Sequence, residues 1–485
     1  MKSARLDLVH GSLIVTVSMV TAAAISMLTS IVIVRSLSVA DFGIYSITLS
    51  LQSVVAIIAS FGIGTAVAKF VAEYSARDLR QAVRFARTGL WLILLFSTIT
   101  AIAYFTLARP IGEGLYHEAG VVNLIPFSAM VVISSATQSL TQNIAQGNHR
   151  MKMISSIQIS TPAIRLILIL ILMPIIGISG AFLSLFLAQI TITLMAIRRL
   201  GRTGFSIAVH EKDDSNIQYA KIILSFAVPT VLGALLVSPF YWFGNTILEL
   251  GYGFTAVGQF SIALIFFQAL NLLSYSVAIP LVPRVSEMSV HSRGQIGPLI
   301  SQSLRSISVI LFPFFLAISL FSKDIIGILF GSQYQNSADA TYLMVTACFF
   351  VSLAAILEAT IIGLGRMWLD LGLNGIWAII FIPLILIMTP LYGITGLGAA
   401  FALAYAAHLF NILVVSNKIL GLKIGDGFSM ICLTVISLTI AFILLEFMGG
   451  LTIIEKSVIF IIFTAPVIFL GRSEIRVVYK ALFNR

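Results

Sequence analysis

Arg165 is the residue in this sequence best suited to hold a charged ligand inside a membrane. It lies midway along the apolar run 153–174, where a guanidinium is costly unless it has a partner or a task. Gln158, Thr161 and Arg165 occur at i, i+3 and i+7, so they share one face of a helix. An arginine on such a face can bind a diphosphate or a carboxylate through two parallel hydrogen bonds. The alternative is a structural role, in an ion pair or in hydrogen bonds to carbonyl groups of packed helices.

A carboxylate in another apolar run points to proton chemistry. Glu358 lies in the run 340–363, roughly one and a half helical turns from its end. A carboxylate at this depth can carry a proton or pair with Arg165. An acid that only reaches the membrane interface explains Glu358 equally well. Asp370, at the beginning of the next run, needs no explanation beyond its place at a helix end.

Amide and imidazole side chains recur on other apolar runs. Sugars need many neutral donors and acceptors, so these faces suit a carbohydrate, although hydrogen bonds between packed helices explain the same residues. The candidates for lining a binding cavity, besides Arg165 and Glu358, are Gln138, Gln142, Gln158, Gln268, Asn271 and His408.

A basic segment follows the second apolar run. We expect Arg77, Arg80, Arg84 and Arg87 to lie on one face of a helix whose apolar face enters the membrane interface. Such a helix can collect anionic headgroups, or it can simply anchor the topology. The candidates for headgroup capture are Lys69, Arg77, Arg80, Arg84, Arg87 and Arg284.

Membrane helices must position these side chains. The chain has 485 residues, of which 59% are hydrophobic and 10% charged, whereas a soluble domain carries about 25% charged residues. We predict an all-α polytopic membrane protein with about fourteen transmembrane helices. The apolar runs lie near 10–34, 42–67, 88–108, 121–145, 153–174, 178–198, 219–243, 255–283, 298–321, 340–363, 368–389, 394–416, 428–448 and 456–471.

Cofactor and metal chemistry are not expected. The two cysteines lie in apolar runs, so a disulfide framework and a thiolate metal site are excluded. The six histidines show no metal-ligand spacing, and no phosphate-binding loop is present. Transport by this chain would therefore depend on a gradient or a partner.

The basic residues predict the orientation. With the N-terminus in the cytoplasm, the outer segments carry only Arg35, Arg109, Lys323 and Lys456 of the 29 lysines and arginines. This bias predicts a multi-pass protein of the cytoplasmic (inner) membrane with both termini cytoplasmic. It also accounts for the net charge of +10, so nucleic-acid binding need not be invoked.

The sequence repeats itself at an offset of 215–216 residues. The matches, in order along the chain, are Phe42–Ile47 with Val257–Ile262, Gly147 and Arg150 with Gly363 and Arg366, and Pro174–Gly180 with Pro390–Gly396. A repeat unit of six spans enters the membrane in the same direction both times, which is typical of parallel lobes.

The repeat predicts the domain organisation and a mechanism. We expect an N-lobe at 1–198, a cytoplasmic linker at 199–218 and a C-lobe at 219–417. Two further helices and a cytoplasmic tail would occupy 418–485. Two such lobes suit alternating access, with a cavity between them that shields a polar group from lipid.

Three motifs carry a resemblance to a known family. They are Arg35–Tyr45 after the first run, Gln146–Arg150 after the fourth, and Leu329–Tyr334 after the ninth. With two six-helix lobes and an extra pair, the whole chain resembles the polysaccharide-transporter (Wzx-like) branch of the multidrug/oligosaccharidyl-lipid/polysaccharide exporter superfamily.

The resemblance implies a MATE-like fold and a flippase, not an enzyme. Such a protein carries an isoprenoid-diphosphate-linked oligosaccharide from the cytoplasmic to the outer leaflet by alternating access. Implied partners are the bilayer, the lipid-linked glycan, a glycan polymerase or glycosyltransferases, and a coupling ion (H⁺ or Na⁺). The family's first-lobe motif maps onto Arg35, Asp41 and Gly43, and Arg35 and Asp41 are thereby further candidates for lining the binding cavity. The second lobe departs from the motif, since Leu250 stands at the position matching Arg35.

Two alternatives stay open. A cation-coupled multidrug or organic-cation antiporter of the same superfamily would need acidic groups deep in the lobes, yet the deepest charge in this sequence is positive. A non-transporting membrane component of a glycan assembly complex belongs to another class. A membrane-embedded enzyme of that kind would show acidic catalytic or metal-binding clusters near a loop, and none is visible in the sequence.

Overall fold

The structure, a computed structural model, describes residues 2–75, 77–202, 216–235, 239–278, 281–418, 420–421, 425–448 and 451–472. All regular elements in these ranges are helical, which confirms the predicted all-α class. The main helices are α1 Lys2–Ser36, α2 Val39–Ser60, α3 Ile63–Ser75, α4 Leu79–Thr106, α5 Ala119–Gly147, α6 Met151–Ile176, α7 Ile178–Arg202, α8 Asn216–Leu235, α9 Pro239–Ala278, α10 Leu281–His291, α11 Ile296–Leu320, α12 Ser322–Leu329, α13 Ala338–Gly363, α14 Met367–Lys418, α15 Asp426–Met448 and α16 Ile453–Leu470.

The chain forms two compact units, Met1–Gly258 and Gln259–Arg485, and the division falls within α9. In the first unit, α5 packs against α2, α3, α4 and α7, while α6 packs against α1 and α7. In the second unit, α13 packs against α10, α11, α12 and α14. Most of the predicted linker 199–218 and the predicted tail lie outside the described residues, so the proposed domain boundaries stay a prediction.

Lipid is the solvent for much of the surface. Among the described residues, eleven helices are long and apolar enough to cross a membrane. Large apolar side chains stay exposed on them, for example Trp91 on α4 and Ile175 on α6. The chain is therefore a multi-pass integral membrane protein. Two predicted runs share α14, and α8 and α15 contain shorter apolar stretches, so the count of fourteen spans stays a prediction.

Two glycines reproduce the sequence repeat in the backbone. Gly177 separates α6 from α7 with φ 61° and ψ −140°, and Gly393 breaks α14 with φ 58° and ψ −130°. Only glycine adopts this conformation without strain. A Cβ on Gly180 would lie 2.7 Å from the Leu172 carbonyl oxygen, and a Cβ on Gly396 would lie even closer to the Met388 carbonyl oxygen.

The glycine of the Arg35–Tyr45 motif allows a close helix crossing. In the first unit, α2 packs against the early part of α9 so tightly that a Cβ on Gly43 would lie 1.9 Å from the Phe254 carbonyl oxygen. A Cβ on Gly258 would lie 2.1 Å from that of Val39. These two glycines match each other in the repeat, and a side chain at either position would separate the helices.

The basic segment is not one helix, so that expectation was wrong. Helix α3 ends at Ser75, and α4 begins only at Leu79. Asp78 caps α4, because its Oδ1 accepts hydrogen bonds from the backbone nitrogens of Arg80 and Gln81 at 3.0 and 3.2 Å. Arg77 lies in the turn before this cap and does not share the helical face of Arg80.

Candidate functional site

The polar face of α6 joins three other helices of the first unit. Ser18 on α1 donates to Gln158 Oε1 at 2.9 Å. Gln138 on α5 donates through Nε2 to Thr161 Oγ1 at 2.8 Å. Arg165 Nη2 donates to the Tyr45 hydroxyl on α2 at 2.9 Å. The three residues spaced for one helical face are thus each bound to a different neighbour.

Among the residues that the structure describes, Arg165 has no negatively charged partner. It is half-buried, and within the described residues it forms no ion pair and no bond to a carbonyl. Its Nε is buried and has no hydrogen-bond partner there. Tyr45, buried against the Phe182 ring at 5.1 Å, positions the guanidinium but does not neutralise it. The site therefore keeps a positive charge and unused donors, which suit an anionic ligand.

At the positions matched in the repeat, the second unit carries no charge. At the repeat offset, Arg165 matches Phe381 and Tyr45 matches Phe260. Both phenylalanines are fully buried, and Phe401 contacts both, with ring centroids 4.5 and 6.3 Å apart. The guanidinium site thus occupies the position of an aromatic core and is specific to the first unit.

A half-buried acid and a buried imidazole form a pair in the second unit. Glu358 on α13 and His408 on α14 are joined by a 2.8 Å hydrogen bond between Oε1 and Nε2. His408 is 3% exposed, and its Nδ1 has no partner among the described residues. Asp370, in the first turn of α14, interacts electrostatically with both. Two carboxylates around one imidazole can accept and release a proton.

Other cavity candidates have mixed surroundings. Gln142 is half-buried, Gln268 is exposed, and Asn271 buries an Oδ1 that no described group bonds. Arg35 is exposed in the last turn of α1, and Asp41 Oδ2 accepts a 2.7 Å hydrogen bond from the Ser38 hydroxyl that caps α2. The motif positions at this junction thus include a helix cap.

The headgroup candidates are mostly exposed. Lys69 Nζ lies 5.1 and 4.4 Å from the ring centroids of Phe70 and Phe226, so its charge covers an aromatic surface. Arg84 and Arg87 are half-buried on α4, whereas Arg77 and Arg80 are exposed. Arg284 Nη1 forms an ion pair with Glu287 at 3.3 Å.

Sequence reasoning missed several partners. Tyr45 belongs to a motif that drew attention to Arg35, Asp41 and Gly43 instead. The one sequence feature that could have singled out Tyr45 is that the matching residue of the repeat, Phe260, lacks the hydroxyl group. The sequence indicates only a helix-end position for Asp370. Asp370 and His408 are 38 residues apart, and no helical spacing connects residues so distant.

Comparison with known proteins identifies the family. Residues 8–289, more than half of the chain, match the family described as polysaccharide biosynthesis protein. The chain belongs to this family. The resemblance drawn from the three motifs is thereby confirmed.

Relatives and solved structures agree with this membership. A probable low-salt glycan biosynthesis flippase of Haloferax volcanii is 22% identical over 416 residues, which cover 83% of this chain and 82% of that protein. The lipid II flippase MurJ, in an inward closed conformation, has a TM-score of 0.76 at 14% identity over 97% of this chain and 99% of MurJ. An inward-facing multidrug resistance MATE family transporter has a TM-score of 0.70 at 15% identity over 85% of this chain and 99% of that chain. These two likenesses confirm the MATE-like fold.

Proposed function

We propose that this family member is a flippase. It carries an isoprenoid-diphosphate-linked oligosaccharide from the cytoplasmic to the outer leaflet by alternating access and performs no covalent chemistry. The family and the named flippase relative support the reaction class. The likeness to multidrug transporters is one of fold, and a positive charge on α6 has the wrong sign for an organic cation.

The observation that carries the proposal is the unneutralised guanidinium of Arg165. A diphosphate linked to a lipid brings negative charge into a medium where charge is costly. A fixed arginine offsets that cost through charge-assisted hydrogen bonds. Gln138 and Gln158 supply neutral donors and acceptors on the same side of α6, which suit the hydroxyl groups of a sugar.

Substitution of Arg165 tests the proposal. In cells that lack their own copy of the chain, Arg165→Ala is expected to reduce surface glycan at least about tenfold, the effect of losing roughly 1.4 kcal/mol of binding. Arg165→Lys is expected to retain part of the activity, because lysine keeps the charge but loses the planar fork. The measurement is surface glycan normalised to the amount of protein in the membrane.

Arg305 offers a matched control. It is another half-buried arginine in an apolar helix, but its Nη1 pairs with Asp426 at 3.5 Å and its Nη2 bonds the Leu470 carbonyl oxygen at 3.2 Å. Arg305→Ala is expected to lower stability and leave glycan delivery per inserted molecule unchanged. Normal delivery by Arg165→Ala, at normal membrane levels, would remove the basis of the proposed site.

We propose that the Glu358–His408 pair carries the coupling proton. The charged groups on the helices packed against α13 mostly have partners of their own: Arg284 bonds Glu287, Asp324 bonds Lys456 at 2.6 Å, and Arg305 bonds Asp426. Asp370 is the acid whose charge reaches the pair. Uptake of a proton there changes the charge of a partly buried cluster, which is a physical means of shifting a conformational equilibrium.

The location follows from the charge bias. We propose that the protein lies in the cytoplasmic membrane with both termini in the cytoplasm, where glycosyltransferases supply the substrate and a polymerase or transferase on the other side receives it. The excess of arginine and lysine in the predicted inner segments supports this orientation.

A further inference from the structure

A cavity lies in the first unit, where α4 ends and α5 begins. Its volume is about 420 Å³. The apolar part of its wall consists of Phe105, Ala108, Val122 and Pro126, and its polar groups include Arg109 and Asn123. The cavity therefore places a positive charge beside an apolar surface.

An exposed apolar face of α4 leads to this cavity. Trp91, Leu95, Ile99 and Ile102 are each more than half exposed. They occur at i, i+4, i+8 and i+11, so they lie on one face of the helix, and Phe105 continues that face to the cavity wall. In a membrane, lipid chains cover such a face, so a chain can reach the cavity directly from the bilayer.

Close packing on α5 defines the walls. The hydroxyl groups of Tyr104 on α4 and Ser128 on α5 are both buried and are hydrogen-bonded at 3.1 Å. Beyond them, the helical turn Pro110–Leu115 packs on α5 so tightly that a Cβ on Gly112 would lie 2.3 Å from Val122 Cγ2. The cavity is thus enclosed between elements that are fixed to each other on both sides.

The charge of Arg109 is not neutralised. The side chain is exposed, and within the described residues it forms no ion pair and no hydrogen bond. Glu113 is exposed and does not line the cavity. Glu118 caps α5, because its Oε1 accepts a 2.9 Å hydrogen bond from the Gly120 backbone nitrogen. The guanidinium therefore keeps all its donors for a ligand.

Two neutral polar groups lie next to this charge. Pro126 within α5 has no N–H, so the Val122 carbonyl lacks the donor that a helix would supply from four residues later. The Asn123 side chain is exposed and forms no hydrogen bond within the part of the chain that the structure describes. An accepting carbonyl and an amide suit hydroxyl groups.

We propose that this cavity binds the headgroup of a membrane phospholipid. The phosphate bonds Arg109, whose planar fork matches phosphate oxygens, and an acyl chain lies along the exposed face of α4. The Val122 carbonyl and the Asn123 amide suit headgroup hydroxyl groups such as those of glycerol. The site shares no residue with Arg165 or the Glu358–His408 pair. It requires only that α4 and α5 cross a membrane, and it does not depend on the flippase proposal.

Thermal unfolding of the purified full chain in detergent tests the site. Tm is measured against increasing short-chain phosphatidylglycerol, and the wild type is expected to show a saturable rise, because the lipid binds only the folded state. A diacylglycerol with the same chains lacks the phosphate, and glycerol phosphate lacks the chains. Neither is expected to raise Tm at these concentrations. Arg109→Gln is expected to raise the half-saturating concentration at least about tenfold, since it loses the charge-assisted hydrogen bonds.

A matched control and a second measurement complete the test. Lys323→Gln removes an exposed basic side chain of α12, outside the cavity, and is expected to respond as the wild type does. Arg109→Lys is expected to be intermediate. Native mass spectrometry should find fewer retained phosphatidylglycerol molecules on Arg109→Gln than on Lys323→Gln, whatever the Tm of either variant.

Three results would overturn the proposal. The first is an equal rise in Tm with the diacylglycerol, and the second is a full phosphatidylglycerol response in Arg109→Gln. The third is a rise with an isoprenoid diphosphate but none with phosphatidylglycerol, which would assign the cavity to a transported lipid instead of a membrane phospholipid.

Discussion

At Arg165 and at Glu358 a charge inside an apolar helix is stabilised in two different ways. Arg165 bonds the neutral hydroxyl of Tyr45 and keeps its charge available. Glu358 bonds His408, whose imidazole can gain or lose a proton. The first arrangement suits the binding of an anion. The second suits a change of protonation during each transport cycle.

Glu358→Gln tests the second arrangement. The amide keeps the shape and a hydrogen bond to His408 but cannot exchange a proton. In vesicles holding the purified protein, we expect a fluorescent isoprenoid-diphosphate disaccharide to equilibrate between leaflets but no longer to respond to an imposed pH gradient. Glu287→Gln, an exposed acid on α10, serves as the control. A gradient response equal to that of the wild type would exclude Glu358 as the proton carrier.

The sequence predicted which residues stand out but not how they pair. Arg165, Glu358 and His408 are visible because a polar residue in an apolar run is rare. The bond between Glu358 and His408 joins positions 50 residues apart, and no local rule specifies that contact.

At the scale of the elements, the lengths of the apolar runs and the positions of the glycines were enough to predict helices such as α6 and α7. The predicted runs 153–174 and 178–198 correspond to α6 and α7, and the match holds because each span needs about 20 apolar residues. The breaks after α2 and after α3 were missed, since their signals are single residues. Phe61 and Gly62 adopt positive φ between α2 and α3, and Asp78 caps α4.

Replacement of the two bend glycines is expected to destabilise the fold. Gly177→Ala and Gly393→Ala each place a Cβ on a backbone that glycine alone tolerates, at a cost of roughly 1–3 kcal/mol. Gly372→Ala, within α14 where a Cβ meets nothing within 4 Å, is the control and is expected to be neutral or to gain about 0.5–1 kcal/mol. Thermal unfolding in detergent measures the difference. Equal Tm values for all three variants would contradict the account of these bends.

At the scale of the whole molecule, the two halves of the sequence repeat have different side chains at matching interior positions. The first unit has Arg165 and Tyr45 where the second has Phe381 and Phe260. The common backbone arrangement explains why the repeat is visible in the glycines and in the helix bends. At these two matched positions, only the first unit carries a charged side chain.

The double variant Arg165→Phe with Tyr45→Phe gives the first unit the aromatic pair of the second. We expect it to insert and to unfold at a Tm close to that of the wild type, because phenylalanines pack well at the matching positions. Glycan delivery should be lost. The reverse change, Phe381→Arg, should lower stability strongly, since Phe381 is 0% exposed and an arginine there would be a buried unpaired charge. Normal glycan delivery by the double variant would show that transport does not need the charge of Arg165.

The partners of α6 also determine the order in which the site can be assembled. Ser18, Tyr45 and Gln138 all precede α6 in the chain, so a ribosome completes these three partners of Gln158, Arg165 and Thr161 before α6 itself emerges. A single residue, Gly177, then links α6 to α7, so these two helices can enter the bilayer together as a hairpin. The Tyr45 hydroxyl is therefore already present when Arg165 enters the bilayer, so the guanidinium can form its hydrogen bond as it inserts.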